Sequence, residues 1–194
     1  MTTIYIVRHG EYVNPNYVYP GRLPGYPLSE NGIQQVKKLA AALQNTPISA
    51  LYASPVLRTM QTAGILAEVL HCSVVPDERL IEVHTLLDGA PMQRFDETRG
   101  ELSFLPDNLA RGAESMEALA DRMYGFMEEK RKEHGGKEIL IVTHGDPMRF
   151  GVMKYMHTPI EFEASRTVSI PLAGGYKIVF DEANQPQVYP IVTS

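Results

Sequence analysis

The sequence predicts an α/β fold, a three-layer α/β/α sandwich around a mostly parallel sheet, and three observations lead there. Ile4-Tyr5-Ile6-Val7 is an unbroken apolar run, β-branched and aromatic, as in a strand buried on both faces. Ile139-Leu140-Ile141-Val142 repeats the pattern late in the chain. Between them lie three segments of helical period, and strands alternating with helices build a parallel sheet covered by helices. In such a sheet, ligands sit at the carboxyl ends of the strands.

Taken in order, the first strand covers residues 4–7 and runs straight into Arg8-His9-Gly10. Residues 14–27 are rich in Pro, Tyr and Gly and read as a loop. In residues 30–44, Ile33, Val36, Ala40 and Leu43 share one helical face. Residues 50–53 form a second strand, after which Ser54 reads as an N-cap and Pro55 as the first helical residue. In residues 56–70, Met60, Ala63, Leu66, Ala67 and Leu70 share a face, and residues 73–75 form a further short strand. Residues 86–111 show no period and read as an irregular insertion over the sheet, a kind of long loop that is usually functional. Met116, Leu119, Met123 and Phe126 mark a third helix within residues 115–133. After the strand at 139–142, residues 167–172 and 176–180 read as a closing hairpin, with Ala173-Gly174-Gly175 as its turn.

A chain of 194 residues that is 44% apolar can bury one full core, so a single domain over 1–194 is expected. A net charge of −5 gives no general attraction to nucleic acid or to an anionic membrane. Any anion site must therefore be a local cluster of positive groups. Cys72 is the one cysteine, which rules out an intrachain disulfide and suits a reducing compartment. The N-terminal stretch is too short and too soon charged for a signal peptide, and no apolar run approaches a membrane span. A cytoplasmic protein is expected.

The chemistry is concentrated at two strand ends. Arg8-His9-Gly10 falls at the end of the first strand, and Thr143-His144-Gly145 at the equivalent point after the late one. Two histidines thus stand at one mouth of the sheet, each followed by a glycine that lets backbone N–H groups approach a bound group. Arg58 lies in the first turn of the second helix, where the helix dipole also favours an anion. Guanidinium matches phosphate oxygens two at a time, and histidine can attack phosphorus.

This arrangement resembles the histidine phosphatase superfamily, also called phosphoglycerate mutase-like. The residues that carry the likeness are Arg8-His9-Gly10-Glu11, PLSENG at 27–32, SPVLRTMQTA at 54–63, ERLIE at 78–82 and VTHGDPMR at 142–149. They run in order over nearly the whole chain. The resemblance implies that His9 takes the phosphoryl group, that Arg8, Arg58 and His144 clamp its oxygens, and that water then attacks the phosphohistidine. It implies no metal and no cofactor, and no HExxH-like ligand set is present. Glu82 matches the proton donor. Such an acid must be protonated when the ester binds, so its pKa must be raised. His9 must be neutral and held in one tautomer, with a backbone carbonyl, Gly10's, as the expected partner.

The segment EYVNPNYVYPGRLPGYPLSENG at 11–32 resembles a branch of uncharacterised phosphatases, and the chain departs from the family's commoner forms in places. Leu86, not glycine, stands four residues after Glu82, and Asn14 lies five rather than six residues after His9. Nothing resembles the mutase's extended RHYG-containing segment. The resemblance thus implies phosphomonoester hydrolysis on a small phosphorylated substrate. Its rivals are mutase-type phosphoryl transfer and a non-catalytic protein that binds a phosphorylated ligand. Gly145, and Asn14 and Arg22 from the first loop, are candidate substrate contacts. For Asn14 and Arg22 the plain alternatives are a turn former and a surface cation. Tyr12, Tyr17, Tyr19 and Tyr26 are candidates to wall the pocket.

Overall fold

A computed structural model describes residues 1–98 and 100–191. Strand β1 (Thr3–Arg8) is followed by helix α1 (Glu30–Leu43), β2 (Ile48–Ala53), α2 (Leu57–Leu70) and β3 (Val74–Pro76). Short helices α3 (Met92–Thr98) and α4 (Pro106–Ala110) precede α5 (Met116–Glu133). Then come β4 (Glu138–Thr143), α6 (Gly145–Tyr155), α7 (Phe162–Ser165), β5 (Gly175–Phe180) and β6 (Pro186–Pro190). The six strands form one sheet in the order β3-β2-β4-β1-β5-β6. Pairing is parallel from β3 to β1 and antiparallel through β5 and β6.

The two apolar runs lie side by side at the centre. Ile4 pairs with Ile139, Val7 with Val142 and Arg8 with Thr143. Alternate side chains go to opposite faces, which is why both runs are apolar throughout. Ile4, Ile6, Ile139 and Ile141 pack under α5 and α6, against Met123, Phe126 and Phe150. Tyr5, Val7, Leu140 and Val142 pack under α1 and α2, against Val36, Leu39 and Leu66. Burial of each such aliphatic side chain contributes roughly 1.5–3 kcal/mol, more than any single surface contact. The three-layer sandwich is as the sequence predicts. Among the described residues, no helix is long and apolar enough to cross a membrane.

Three local readings are corrected. The closing hairpin is formed by β5 and β6, not by residues 167–172 and β5. Gly174 and Gly175 do not make its turn. Gly175 faces Val7 on β1, where a Cβ would run into the Ile6 carbonyl oxygen, so glycine is required by close approach. The second helix begins at Leu57 with Val56 as its N-cap, a residue with no polar side chain to make a cap bond, while Ser54 Oγ lies 2.8 Å from His144 Nε2. Residues 86–111 are not irregular throughout. They hold α3, α4 and a 3₁₀ turn at Glu101–Phe104, pieces too short to show a period.

The first loop and the start of this insertion are zipped together. Gly89 N–H donates to Tyr19 O at 2.8 Å, Tyr19 N–H to Ala90 O at 2.8 Å, and Met92 N–H to Tyr17 O at 2.9 Å. The Tyr19 and Phe95 rings stack with centroids 4.1 Å apart. These two segments stand over the carboxyl ends of the central strands.

The glycine argument is directly testable. Gly175→Ala should cost about 2 kcal/mol of unfolding free energy or more, since β1 cannot yield without losing its register. Gly64→Ala, on α2 with open space around it, should be neutral or stabilising by up to about 1 kcal/mol. Urea unfolding of both variants measures the contrast, and equal effects would refute it.

Candidate active site

β1 and β4 end in register, so His9 and His144 emerge as neighbours, with ring centroids 5.3 Å apart. His9 is pinned on both sides of its backbone: its N–H donates to Thr143 O at 3.1 Å, and its carbonyl accepts Ala173 N–H at 3.1 Å. Its Nδ1 lies 2.8 Å from Gly10 O, the partner expected from the sequence. A carbonyl can only accept, so Nδ1 carries the proton and Nε2 holds the lone pair. That lone pair accepts Arg58 Nε–H at 3.1 Å. Burial, and then the charges of Arg58 and Arg8, hold the His9 pKa well below the usual histidine value. His9 is therefore neutral.

Arg58 reaches this point from the first turn of α2 and is 1% exposed. Its NH2 donates to Gly21 O at 2.9 Å and meets His144 Nδ1 at 3.0 Å. His144 Nδ1 must then accept, so Nε2 carries the proton and donates to Ser54 Oγ at 2.8 Å. Burial and the Arg58 charge also hold His144 well below the ordinary histidine range. Arg58 NH1 and Arg8 Nε are buried without a partner. Among the described residues, neither arginine lies within 4.0 Å of a carboxylate. A fully buried guanidinium at Arg58 and a half-buried one at Arg8, neither paired with a carboxylate, are costly, and the arrangement calls for an anion. Phosphate oxygens fit the donors left over.

Arg8 and Glu82 reach the wall of a cavity of about 420 Å³, beside Asp146, Arg149, Phe95 and Ile170. His9 and Arg58 are not part of that wall. Glu82 is 8% exposed; its Oε1 accepts Val83 N–H at 2.8 Å, and its Oε2 lies 3.9 Å from His144 Nδ1. Burial, reinforced by the negative charge of Asp146, pushes its pKa up to about 7, against the pull of Arg58, the Val83 N–H and Arg8. Burial also raises Asp146, whose Oδ1 accepts Arg149 NH1 at 3.0 Å. A larger cavity, about 520 Å³ beside residues 22–25 and the start of α2, holds neither histidine nor Glu82.

The structure brings Arg8, His9, Arg58, Glu82, His144 and Gly145 together. A Cβ on Gly145 would press on Ile170 at 3.0 Å and lie in ordinary contact with the Arg8 guanidinium at 3.5 Å. Asn14 is engaged within its own loop. Its Nδ2 donates to Val18 O at 2.8 Å and its Oδ1 accepts Val18 N–H at 3.2 Å. Both ends of the amide close a local turn, the plain alternative for this residue. Arg22 is likewise bound to protein, its Nε donating to Glu82 O at 2.8 Å. Sequence reasoning missed Ser54 as the partner of His144, and Asp146 and Arg149 as wall residues. For that pair the i,i+3 spacing at the start of α6 was the available signal. Of the loop tyrosines, Tyr19 is in the wall, with its hydroxyl buried and unpartnered.

Residues 4–188 match the histidine phosphatase superfamily (branch 1). The chain is 34% identical over 156 residues to phosphoserine phosphatase 1 of Hydrogenobacter thermophilus, covering 77% of this chain and 74% of that one. It is 32% identical over 154 residues to the probable phosphoglycerate mutase GpmB of Serratia proteamaculans, covering 75% and 70%. Among solved structures, it resembles a phosphoserine phosphatase mutant from Entamoeba histolytica in complex with phosphoserine. The TM-score is 0.82 at 18% identity, over 100% of this chain and 98% of that one. Bacillus stearothermophilus YhfR gives a TM-score of 0.79 at 23% identity, over 98% and 96%.

The raised acid has a thermodynamic signature. Glu82 titrates near 7 in the fold against an ordinary 4.5, so the folded chain keeps a proton that the unfolded chain has lost in between. Stability therefore falls as pH rises through that window. Glu82→Gln should nearly match the parent in melting temperature near pH 4.5 and exceed it by roughly 7–13 °C at pH 8. Thermal unfolding across pH tests this; a constant difference would sink it.

Proposed function

The chain belongs to the histidine phosphatase superfamily, branch 1, and we propose that it hydrolyses phosphomonoesters through a phosphohistidine on His9, with Glu82 as the proton donor. The observation that carries this reading is the neutral His9, its Nε2 lone pair set against the buried Arg58, with unpartnered N–H groups on Arg58 and on the half-buried Arg8 and no carboxylate partner for either.

The geometry suggests a sequence of events. Phosphoryl oxygens take the unpartnered Arg8 Nε–H and Arg58 NH1–H. Arg58 Nε–H then exchanges His9 for a phosphoryl oxygen, which frees the Nε2 lone pair. Nε2 attacks phosphorus, the P–O bond to the alcohol breaks, and Glu82 passes its proton to the departing oxygen. The imidazole becomes cationic, and the Nδ1–H bond to Gly10 O strengthens as charge develops. Water next attacks the phosphohistidine, its proton goes to the Glu82 carboxylate, and phosphate leaves. In this scheme His144 acts through Arg58, whose NH2 it holds. The fixed positive charges stabilise the transition state without reorganisation.

Hydrolysis is supported by the relative named a phosphoserine phosphatase and by the lack of an RHYG segment in the sequence. Mutase-type transfer is a second reading, favoured by the similarity to GpmB. The two separate on 3-phosphoglycerate: hydrolysis releases phosphate, whereas a mutase yields 2-phosphoglycerate and depends on a bisphosphorylated primer.

The wild type should release phosphate from p-nitrophenyl phosphate in EDTA, and His9→Ala should lose about 10³-fold or more. For an alkyl phosphate, kcat/KM should fall as pH rises past about 7, where free Glu82 loses its proton. Activity that survives in His9→Ala overturns the nucleophile assignment. Tight phosphate binding without turnover would favour the binding-protein rival.

A further inference from the structure

The segment that carries Glu82 belongs to no strand and, beyond a single 3₁₀ turn at Glu78–Leu80, to no helix. Yet its four consecutive carbonyls from Arg79 to Glu82 all accept hydrogen bonds from side chains elsewhere in the chain. Arg122 NH1, on α5, donates to Arg79 O at 2.6 Å and to Ile81 O at 3.0 Å. Thr143 Oγ1, beside His144, donates to Leu80 O at 2.7 Å. Arg22 Nε, from the first loop, donates to Glu82 O at 2.8 Å.

The two arginines are joined by one carboxylate. Glu114 accepts Arg122 Nε–H and NH2–H at 2.7 and 2.8 Å, the two-pronged geometry that fixes a guanidinium in plane. Its Oε2 lies 3.5 Å from Arg22 NH2 and also accepts His84 N–H at 3.1 Å, while Glu114 N–H donates to His84 O at 2.8 Å. Glu114 is 13% exposed and Arg122 19%, so water screens this network far less than a surface pair. None of the three is in the wall of the cavity that Glu82 reaches. Gly21, the neighbour of Arg22, accepts Arg58 NH2. One short loop thus ties the phosphoryl clamp to the acid segment.

We propose that Arg22, Glu114 and Arg122 are positioning residues that hold the Glu82 backbone at a fixed distance from the phosphoryl clamp, so that its carboxyl meets the leaving oxygen. This rests on the reading of Glu82 as proton donor. A loop segment without such ties would let the carboxyl wander, and a displacement of about 1 Å can cost on the order of 10²-fold in rate.

A general acid matters most when the leaving oxygen is strongly basic. The test compares kcat/KM for p-nitrophenyl phosphate, a good leaving group, with that for β-glycerol phosphate, a poor one, in Glu82→Gln, Glu114→Gln, Arg122→Met and Arg122→Lys. This constant covers P–O cleavage but not the later hydrolysis of the phosphohistidine, which is common to both esters. Glu82→Gln should lose about 10²-fold or more on the glycerol ester and far less on the nitrophenyl ester. Glu114→Gln and Arg122→Met should show the same selectivity at roughly tenfold, with nitrophenyl turnover within about threefold of wild type, and Arg122→Lys should recover part of the loss. Retained nitrophenyl turnover itself reports a folded clamp. If Arg122→Met does not fold, Glu114→Gln, which keeps its shape and a carbonyl for His84 N–H, decides alone. Selective loss in Glu82→Gln with uniform or no loss in the Glu114 and Arg122 variants overturns the positioning role. Uniform loss in Glu82→Gln, or a wild type silent on both esters, overturns the parent reading, and the positioning role falls with it.

Discussion

The in-register parallel pairing of β1 with β4 is the constraint on which the rest of the site depends. Arg8 lies opposite Thr143, so the next residue on each strand is a histidine, and both leave the sheet at the same height. A slip of one residue would turn every side chain of β1 to the other face and take His9 away from Thr143 O, Ala173 N and His144. The apolar runs prevent the slip. Ile4 and Ile6 fit one core and Tyr5 and Val7 the other, and the polar residues that follow have no place in either.

Electrostatics then follows from burial. Burial first, and then the charges of Arg58 and Arg8, depress both histidines, and the same two charges pull Glu82 down as well. Glu82 nevertheless rises to about 7, because desolvation with the Asp146 charge outweighs that pull. One environment thus leaves a neutral base-like nitrogen beside a carboxyl that titrates near neutrality. The two need opposite shifts, and only burial supplies both, since it disfavours whichever form is charged.

What is legible in the sequence follows the length scale of each interaction. The central strands and the helices at 30–44, 56–70 and 115–133 are legible because their packing repeats over several turns or a full strand. Arg8, His9 and His144 are legible because the strand ends place them, Arg58 because it falls in the first turn of a helix, and Glu82 only through a resemblance of motif. Gly174-Gly175 misleads because a glycine needed for close approach looks the same in sequence as one needed for a turn. β6, with proline at both ends, reads as anything but a strand, yet an edge position tolerates it. Ser54 followed by Pro55 has the form of a cap, and only the fold shows His144 taking the hydroxyl. The carbonyls of residues 79–82 are beyond reach altogether, since their partners come from a loop, a helix and a strand end that meet only after folding.

The division of labour between rigid and tethered parts bears on how one carboxyl could serve both halves of the proposed cycle. In the first half Glu82 must hold a proton, and burial with Asp146 nearby keeps one available near neutral pH. A bound phosphoryl group adds negative charge and reinforces this. Once the N–P bond forms, His9 becomes a cation, its Nδ1–H held by Gly10 O. That new positive charge, added to the pull of Arg58 and Arg8, stabilises the carboxylate Glu82 has just become and readies it to take the proton of the attacking water. The switch from acid to base then needs no movement of Glu82. It needs only that Glu82 stay where both charges are felt, which a loop segment can do only if something other than secondary structure holds it.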